Sequence, residues 1–351
     1  MKGLGMTHLS PIGIDLEGPH VRAVQLLGHG GSWNLKAALR TPRLVPGPVI
    51  DPVDLRELRA ALVRQGFLGT RVVLAVPEEK LVTGLLELPP RSSGAPVDQI
   101  ARTELANLHG FDPAQAEAVS WDLPQTARAK DATHAMAMAC RHGDAEALLD
   151  LVEETGLDVV ALSSRLHALV RASRAVGTDS GMTAILDLEW NRGTLILMYR
   201  QTVVYRWMMP EAAMLHLSKA LSDHGGLDDE QIGYLLTDVG LTPSDAVDKS
   251  LCDLVGALIR KHLDALVPAM GSPLAYAVQL YPEASIGQML LTGFGARLPG
   301  AAEYLHKSLG FPVRVTAPAD IVRCPPSLGA KAVDPGLVVA TGLALLGGAD
   351  A

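Results

Sequence analysis

Short apolar runs separated by turn residues open the chain. Residues 12–16 form one run, interrupted by Gly13 and Asp15; residues 21–27 form a second and, beyond the turn at Gly28, Gly30 and Gly31, residues 33–39 a third. Runs of this length divided by such turns predict three antiparallel strands. The spacing then changes. Over residues 51–65, Leu55, Leu58 and Leu62 recur at helical intervals, Pro52 stands where a first-turn proline is tolerated, and Gly66 marks the stop. A helix is predicted there, and a fourth strand at 71–76.

The order strand, turn, strand, turn, strand, helix, strand returns from residue 183. Strands are predicted at 183–188, 194–199 and 203–208, then helical segments, then a strand at 288–292. Ile14-Asp15-Leu16-Glu17 and Leu186-Asp187-Leu188-Glu189 stand at equivalent points of the two runs and share the triplet Asp-Leu-Glu. One structural unit used twice is the reading that accounts for both. Between the copies lie a strand at 81–88, a loop at 89–96, a helix at 97–108 and strands at 118–123 and 133–140 around a polar loop at 124–131, which together predict a small inserted subdomain. Helices at 144–154 and 162–175 lead into the second half. There, 211–222 and 249–266 read as helices of a further insertion, with 225–242 irregular and partly helical.

Composition narrows the class. The chain has 351 residues, 48% hydrophobic and 19% charged, with 34 Gly and 23 Pro, a globular composition long enough for two units or one bilobed domain. With 30 Lys plus Arg against 38 Asp plus Glu, the net charge of −8 offers no general attraction to nucleic acid or anionic lipid. Cys140, Cys252 and Cys324 are too scattered for a disulfide framework or a zinc finger and suit a reducing compartment. Cys140 and His142 lack a second pair of ligands and read as edge-strand packing. Residues 1–10 lack the apolar run of a cleaved signal. The most apolar stretch, 337–346, is half the roughly 20 residues a spanning helix needs, so a soluble chain without direct membrane insertion is expected. No Ser-His-Asp, GxSxG, HExxH or Walker A motif is present, and no GxGxxG opens a helix after the first strand.

The duplicated unit, with an Asp ending the first strand of each copy, resembles the actin-like ATPase superfamily. Its closest flavour is similar to the PilM family of type IV pilus assembly, with FtsA more distant. Ile12 to Leu26, IGIDLEGPHVRAVQL, resembles the family's opening strand pair; LLTGFGARLPGAAEYLHKSLG at 290–310 is the most specific match, and DPGLVVATGLAL at 334–345 resembles the closing helix. The resemblance implies an α/β fold: an actin-like (ribonuclease H-like) duplicated two-lobe architecture with an inserted middle subdomain. Its expected boundaries are 11–80 for the first lobe, 81–143 for the inserted subdomain, 144–180 for helices returning to the first lobe, and 181–346 for the second lobe with a helical insertion at about 211–285.

In that family an Asp-x-Gly turn in each half grips nucleotide phosphates, and the later glycine loop lies against the adenosine. Carried over, the nucleotide cleft comprises Asp15, Glu17, Gly18, Asp187, Glu189, Gly293, Phe294, Gly295 and Ala296, with Asp15 and Asp187 as ligands if Mg²⁺ is bound. Both phosphate loops depart from the pattern. Where the family reads Asp-x-Gly-Ser-Ser-Ser-x-Lys, this chain reads Asp15-Leu16-Glu17-Gly18-Pro19-His20-Val21-Arg22, and in the second copy Glu189 likewise replaces Gly. Pro19 has no N–H to give a phosphate, and a carboxylate on each side repels one. Arg22, Arg192 and His20 are the only nearby cations that could rescue nucleotide binding. The expectation is a non-enzymatic relative in which nucleotide binding is weakened or lost, with no cofactor. The alternative is an ATP and Mg²⁺ switch or slow ATPase. The resemblance further implies a cytoplasmic scaffold, peripheral at the inner membrane, that takes the N-terminal cytoplasmic tail of a bitopic PilN-like pilus assembly protein. The tail's groove would be built from parts of residues 81–140 and the adjoining first lobe. Assembly ATPases are further possible partners.

Overall fold

The structure is a computed structural model and describes residues 8–45, 50–125, 133–177, 181–242 and 247–348. Its elements run β1 His8–Leu9, β2 Ile12–Asp15, β3 His20–His29, β4 Ser32–Pro42, α1 Pro52–Arg64, β5 Arg71–Ala75, β6 Leu81–Leu88, α2 Val97–His109, β7 Ala116–Asp122, β8 Thr133–Arg141, α3 His142–Glu153, β9 Asp158–Ser163 and α4 Arg165–Ser173. The second half continues with β10 Met182–Leu188, β11 Gly193–Tyr199, β12 Thr202–Met209, α5 Met214–Gly225, α6 Asp229–Tyr234, α7 Lys249–Leu280, β13 Ile286–Thr292, α8 Ala301–Leu309, β14 Val313–Val315, α9 Pro318–Ile321, α10 Gly329–Ala332 and α11 Val338–Ala344.

Two of the three sheets are built alike. In the first, β4, β3 and β2 pair antiparallel in that order, and β5 and then β9 follow in parallel. In the second, β12, β11 and β10 pair antiparallel, and β13 and β14 follow in parallel. The third sheet, β6-β8-β7, is antiparallel and carries α2 on one face through Leu86, Leu88, Val97 and Leu105. Every residue of β10 and β11 is buried, as a sheet covered on both faces requires. One face packs on α5 and α7 through Leu195, Leu217 and Ile259, and the other meets α4 and α11 through Ile185, Ile196, Leu166 and Leu343. Because α4 and α11 also pack on the first sheet through Val73 and Ala75, they join the two lobes. Their contact is close. A Cβ added at Gly342 of α11 would stand 2.0 Å from the Ala168 carbonyl oxygen of α4.

Two elements depart from the pattern read in the sequence. The helix expected at 162–175 is preceded by β9, which pairs with β5, so Leu162 and Ser163 belong to a strand and Ser164 caps the helix by accepting from the His167 N–H at 3.1 Å. The helix expected to stop at residue 266 runs on to Leu280 through Pro268 and Pro273. Each internal proline costs about 3 kcal/mol, and the buried side chains of Leu263, Leu266, Met270, Leu274 and Ala277 offset it by packing on the second-lobe core. The segment 225–242 is partly helical, as expected: it holds α6, capped by Asp228, and one π turn at Leu235–Val239. Residues 126–131 of the expected polar loop, and residues 1–7 of the N-terminal segment, lie outside the described residues. Among the described residues no helix is long and apolar enough to cross a membrane.

Candidate functional site: a cleft filled by its own arginines

Parallel strands deliver their last residues to one edge of a sheet, where open α/β folds gather functional groups. Here β2 delivers Asp15 and β10 delivers Asp187, so the two loops that follow face each other across the lobes. The sequence candidates Asp15, Glu17, Asp187 and Glu189 do converge. Their carboxylates meet two buried guanidinium groups. Arg165 Nη1 lies 2.7 Å from both oxygens of Asp15, Nη2 lies 2.8 Å from Asp187 Oδ2 and 3.3 Å from Glu189 Oε1, and Nε lies 3.1 Å from Glu17 Oε2. Arg22, from β3, forks onto Glu189 at 3.1 and 2.9 Å and reaches Asp15 at 3.0 Å. Around this pair, Arg192 Nε holds Glu17 at 3.1 Å and its Nη2 contacts Glu79, while Arg206 contacts Glu78.

Arg165, at the centre of the cluster, is the main residue that sequence reasoning missed, and Glu78, Glu79 and Arg206 at its margin were missed with it. Arg165 is the first residue of α4, directly after the Ser164 cap, and lies 150 positions from Asp15. A cation at a helix N-terminus opposes the helix dipole. The carboxylates of both loops therefore hold it there, and its side chain is only 6% exposed. Of the cations named from sequence, Arg22 and Arg192 join the cluster. His20 does not: burial, with Arg40 and Arg22 nearby, drives its imidazole down to about 4.

The charges are strained against burial. Desolvation pushes the Asp15 carboxyl up, but Arg165 and Arg22 outweigh it and hold Asp15 below the ordinary carboxylate range. At Glu189 burial wins over Arg22 and Arg165 and raises the carboxyl to about 7. Burial likewise raises Glu17 above its ordinary value, against the pull of Arg165 and Arg192. Arg165 is held charged: burial disfavours the ion, and Asp15, Asp187, Glu17 and Glu189 together overcome it.

These residues do not fit a magnesium nucleotide. The oxygens that would ligate a cation already accept from guanidinium groups, and among the described residues no cluster of His, Cys, Asp or Glu has the arrangement of a metal site. Within the cluster Asp187 Oδ1 is left buried without a hydrogen-bond partner, as are the Nε atoms of Arg22 and Arg206. The void among Glu17, Arg165, Asp187, Glu189 and Arg192 measures about 10 Å³, room for one water. A larger space of about 270 Å³ beside Gly18 is walled mostly by apolar side chains, Leu16, Ile50, Val76, Pro77, Leu148 and Leu151 among them, and also by Arg43, Lys80, Arg165 and Arg192.

The glycine loop is equally turned inward. A Cβ at Gly293, whose φ is +85°, would stand 2.6 Å from Asp187 Oδ1, and one at Gly295 would stand 2.7 Å from Leu188 Cβ. The backbone approach that glycine permits is taken up by Asp187 and Leu188 at the end of β10. Phe294 packs edge-on against Trp190 at 5.4 Å, and Ala296 is buried in the second-lobe core.

No protein-family model and no curated protein matches the chain. Solved structures do. A structure of a PilM–PilN type IV pilus biogenesis complex matches with a TM-score of 0.76 at 20% identity, covering 96% of this chain and 98% of the other. The ethanolamine utilization protein EutJ from Carboxydothermus hydrogenoformans matches with a TM-score of 0.53 at 16% identity over 97% and 90% of the two chains. A glycerol dehydratase reactivase matches with a TM-score of 0.52 at 10% identity over 97% and 100%. The chain thus has the duplicated actin-like two-lobe fold, PilM-like over nearly its whole length.

Proposed function

We propose that this chain is a nucleotide-independent scaffold of a type IV pilus or related secretion platform, cytoplasmic and held at the inner membrane by its partners. It binds the N-terminal cytoplasmic tail of a bitopic PilN-like protein. The observation that carries the reading is the occupied cleft: in a PilM-like fold, Arg165 stands between Asp15 and Asp187, where a nucleotide's phosphates and metal would have to enter. No residue is assigned a catalytic role.

The tail's site follows from the middle subdomain. Register places Leu81 and Leu85 of β6, Met136 and Met138 of β8, and Val119 and Trp121 of β7 on one sheet face, opposite α2. Part of that face packs on α4, and Trp121 Nε1 donates to the Val203 carbonyl of the second lobe at 3.0 Å. Beyond the packed part the face runs out into solvent, with Leu85 61% and Val119 53% exposed. An apolar face flanked by edge strands suits an extended peptide that inserts alternate side chains.

The test is fluorescence polarisation with a labelled synthetic peptide of the PilN-like tail, with and without Mg–ATP. The expected result is saturable binding that nucleotide leaves unchanged and that Leu85→Asp weakens. Binding that requires ATP, or that ignores Leu85→Asp and Val119→Asp together, would overturn the reading.

A further inference from the structure

The pairs of the cleft cross from lobe to lobe. Arg165 belongs to α4 and Arg22 to β3, both of the first lobe, yet Arg165 reaches Asp187 at 2.8 Å and Arg22 reaches Glu189 at 2.9 Å in the second. Arg192 returns the link from the second lobe to Glu17 at 3.1 Å. Without the two inner guanidinium groups, the carboxylates of the two loops would face each other across a buried space and repel, the more strongly for being out of water. The apolar contact at α4 and α11 joins the lobes behind the cleft but supplies no counter-charge at its mouth.

We infer that Arg165 is the built-in closing ligand of the cleft: its guanidinium holds the two lobes in one closed arrangement, the part an external cation and phosphate would otherwise play. Closure then belongs to the chain itself and needs no small molecule. This rests on the nucleotide-independent reading above, but not on the identity of the partner.

A guanidinium that acts as a ligand can be replaced by a free one. Hydrogen exchange on the full chain, without peptide or nucleotide, compares wild type with Arg165→Ala in the absence and presence of millimolar methylguanidinium. The expected result is about tenfold faster exchange at 13–17 and 186–194 in the variant. Methylguanidinium should restore protection there, while the amides of α7 remain as in wild type. Urea at the same concentration, which has a similar shape and no charge, should not restore it. Unchanged exchange in folded Arg165→Ala, or acceleration that methylguanidinium cannot reverse, would overturn the inference. Should Arg165→Ala fail to fold, Arg165→Lys keeps one charge but cannot fork across both aspartates. Faster exchange confined to the same two segments supports the lock, and exchange matching wild type overturns it. Failure of the peptide to bind would leave this result untouched, and loss of the lock would leave the peptide site standing.

Discussion

The cleft between the lobes and the free face of the β6-β8-β7 sheet differ in what they have left to offer. In the cleft, six carboxylates pair with four guanidinium groups inside the protein, with Asp187 Oδ1 and the Nε atoms of Arg22 and Arg206 left over, and the void among Glu17, Arg165, Asp187, Glu189 and Arg192 has room for about one water, beside the larger, mostly apolar space at Gly18. On the sheet, Leu85 and Val119 stand in solvent beside the buried Met138 and the half-buried Leu81, Met136 and Trp121 of the same face. Saturated polar groups have no free energy to gain from a ligand, whereas exposed apolar area does. The comparison teaches that the charged groups of the cleft are largely paired with one another, whereas the small sheet keeps apolar area for the proposed partner to cover.

The largest effect should come from unmatching the cleft. Arg165→Met leaves Asp15, Glu17, Asp187 and Glu189 short of a counter-ion, and breaking a buried ion network of this kind costs about 3–5 kcal/mol; urea unfolding should show it as a lower midpoint. Arg22→Met should lose somewhat less, since it serves only Asp15 and Glu189. The same melt run on Leu85→Asp should shift by no more than about 0.5 kcal/mol, while peptide affinity falls about tenfold, equivalent to about 1.4 kcal/mol. Equal responses of the two regions would erase the distinction between them.

A smaller effect sharpens it through pH. The Glu189 carboxyl is raised from its ordinary 4.5 to about 7, so its protonated form is favoured in the folded chain. Its contribution is therefore full below about pH 4.5 and is lost as pH rises through 7. Asp15, held low, contributes in the opposite sense: its stabilisation is present above its ordinary value and lost as pH falls through the lowered one. Thermal melts between pH 5 and 7 should show a downward slope from Glu189 that Glu189→Gln removes. An unchanged slope would mean that Glu189 does not titrate in this window.

Much of the fold was legible because it rests on local pattern. Leu55, Leu58 and Leu62 state a helix, the glycines after Leu27 state a hairpin, and the repeated Asp-Leu-Glu marks the two strand ends that meet. Four of the six acidic residues of the cleft, Asp15, Glu17, Asp187 and Glu189, could be named for the same reason; Glu78 and Glu79 could not. Nor could Arg165. It adjoins neither loop, and only the parallel pairing of β9 beside β5 carries it to Asp15. The strand β9 was itself hidden, because Asp158–Ser163 is a short edge strand leading straight into a helix. Continuation of α7 past Pro268 was hidden too, since the packing that tolerates the proline is tertiary. Arg22 and Arg192 were legible as cations near the loops, but as groups able to rescue nucleotide binding; they pair instead with Glu189 and Glu17.

The most direct measurement is isothermal calorimetry of Mg–ATP into the purified wild-type chain, with ADP as a control. A cleft closed by Arg165 and Arg22 should give no binding heat even at millimolar nucleotide. Micromolar affinity would mean that both arginines leave their carboxylates to admit a ligand, and would contradict the account.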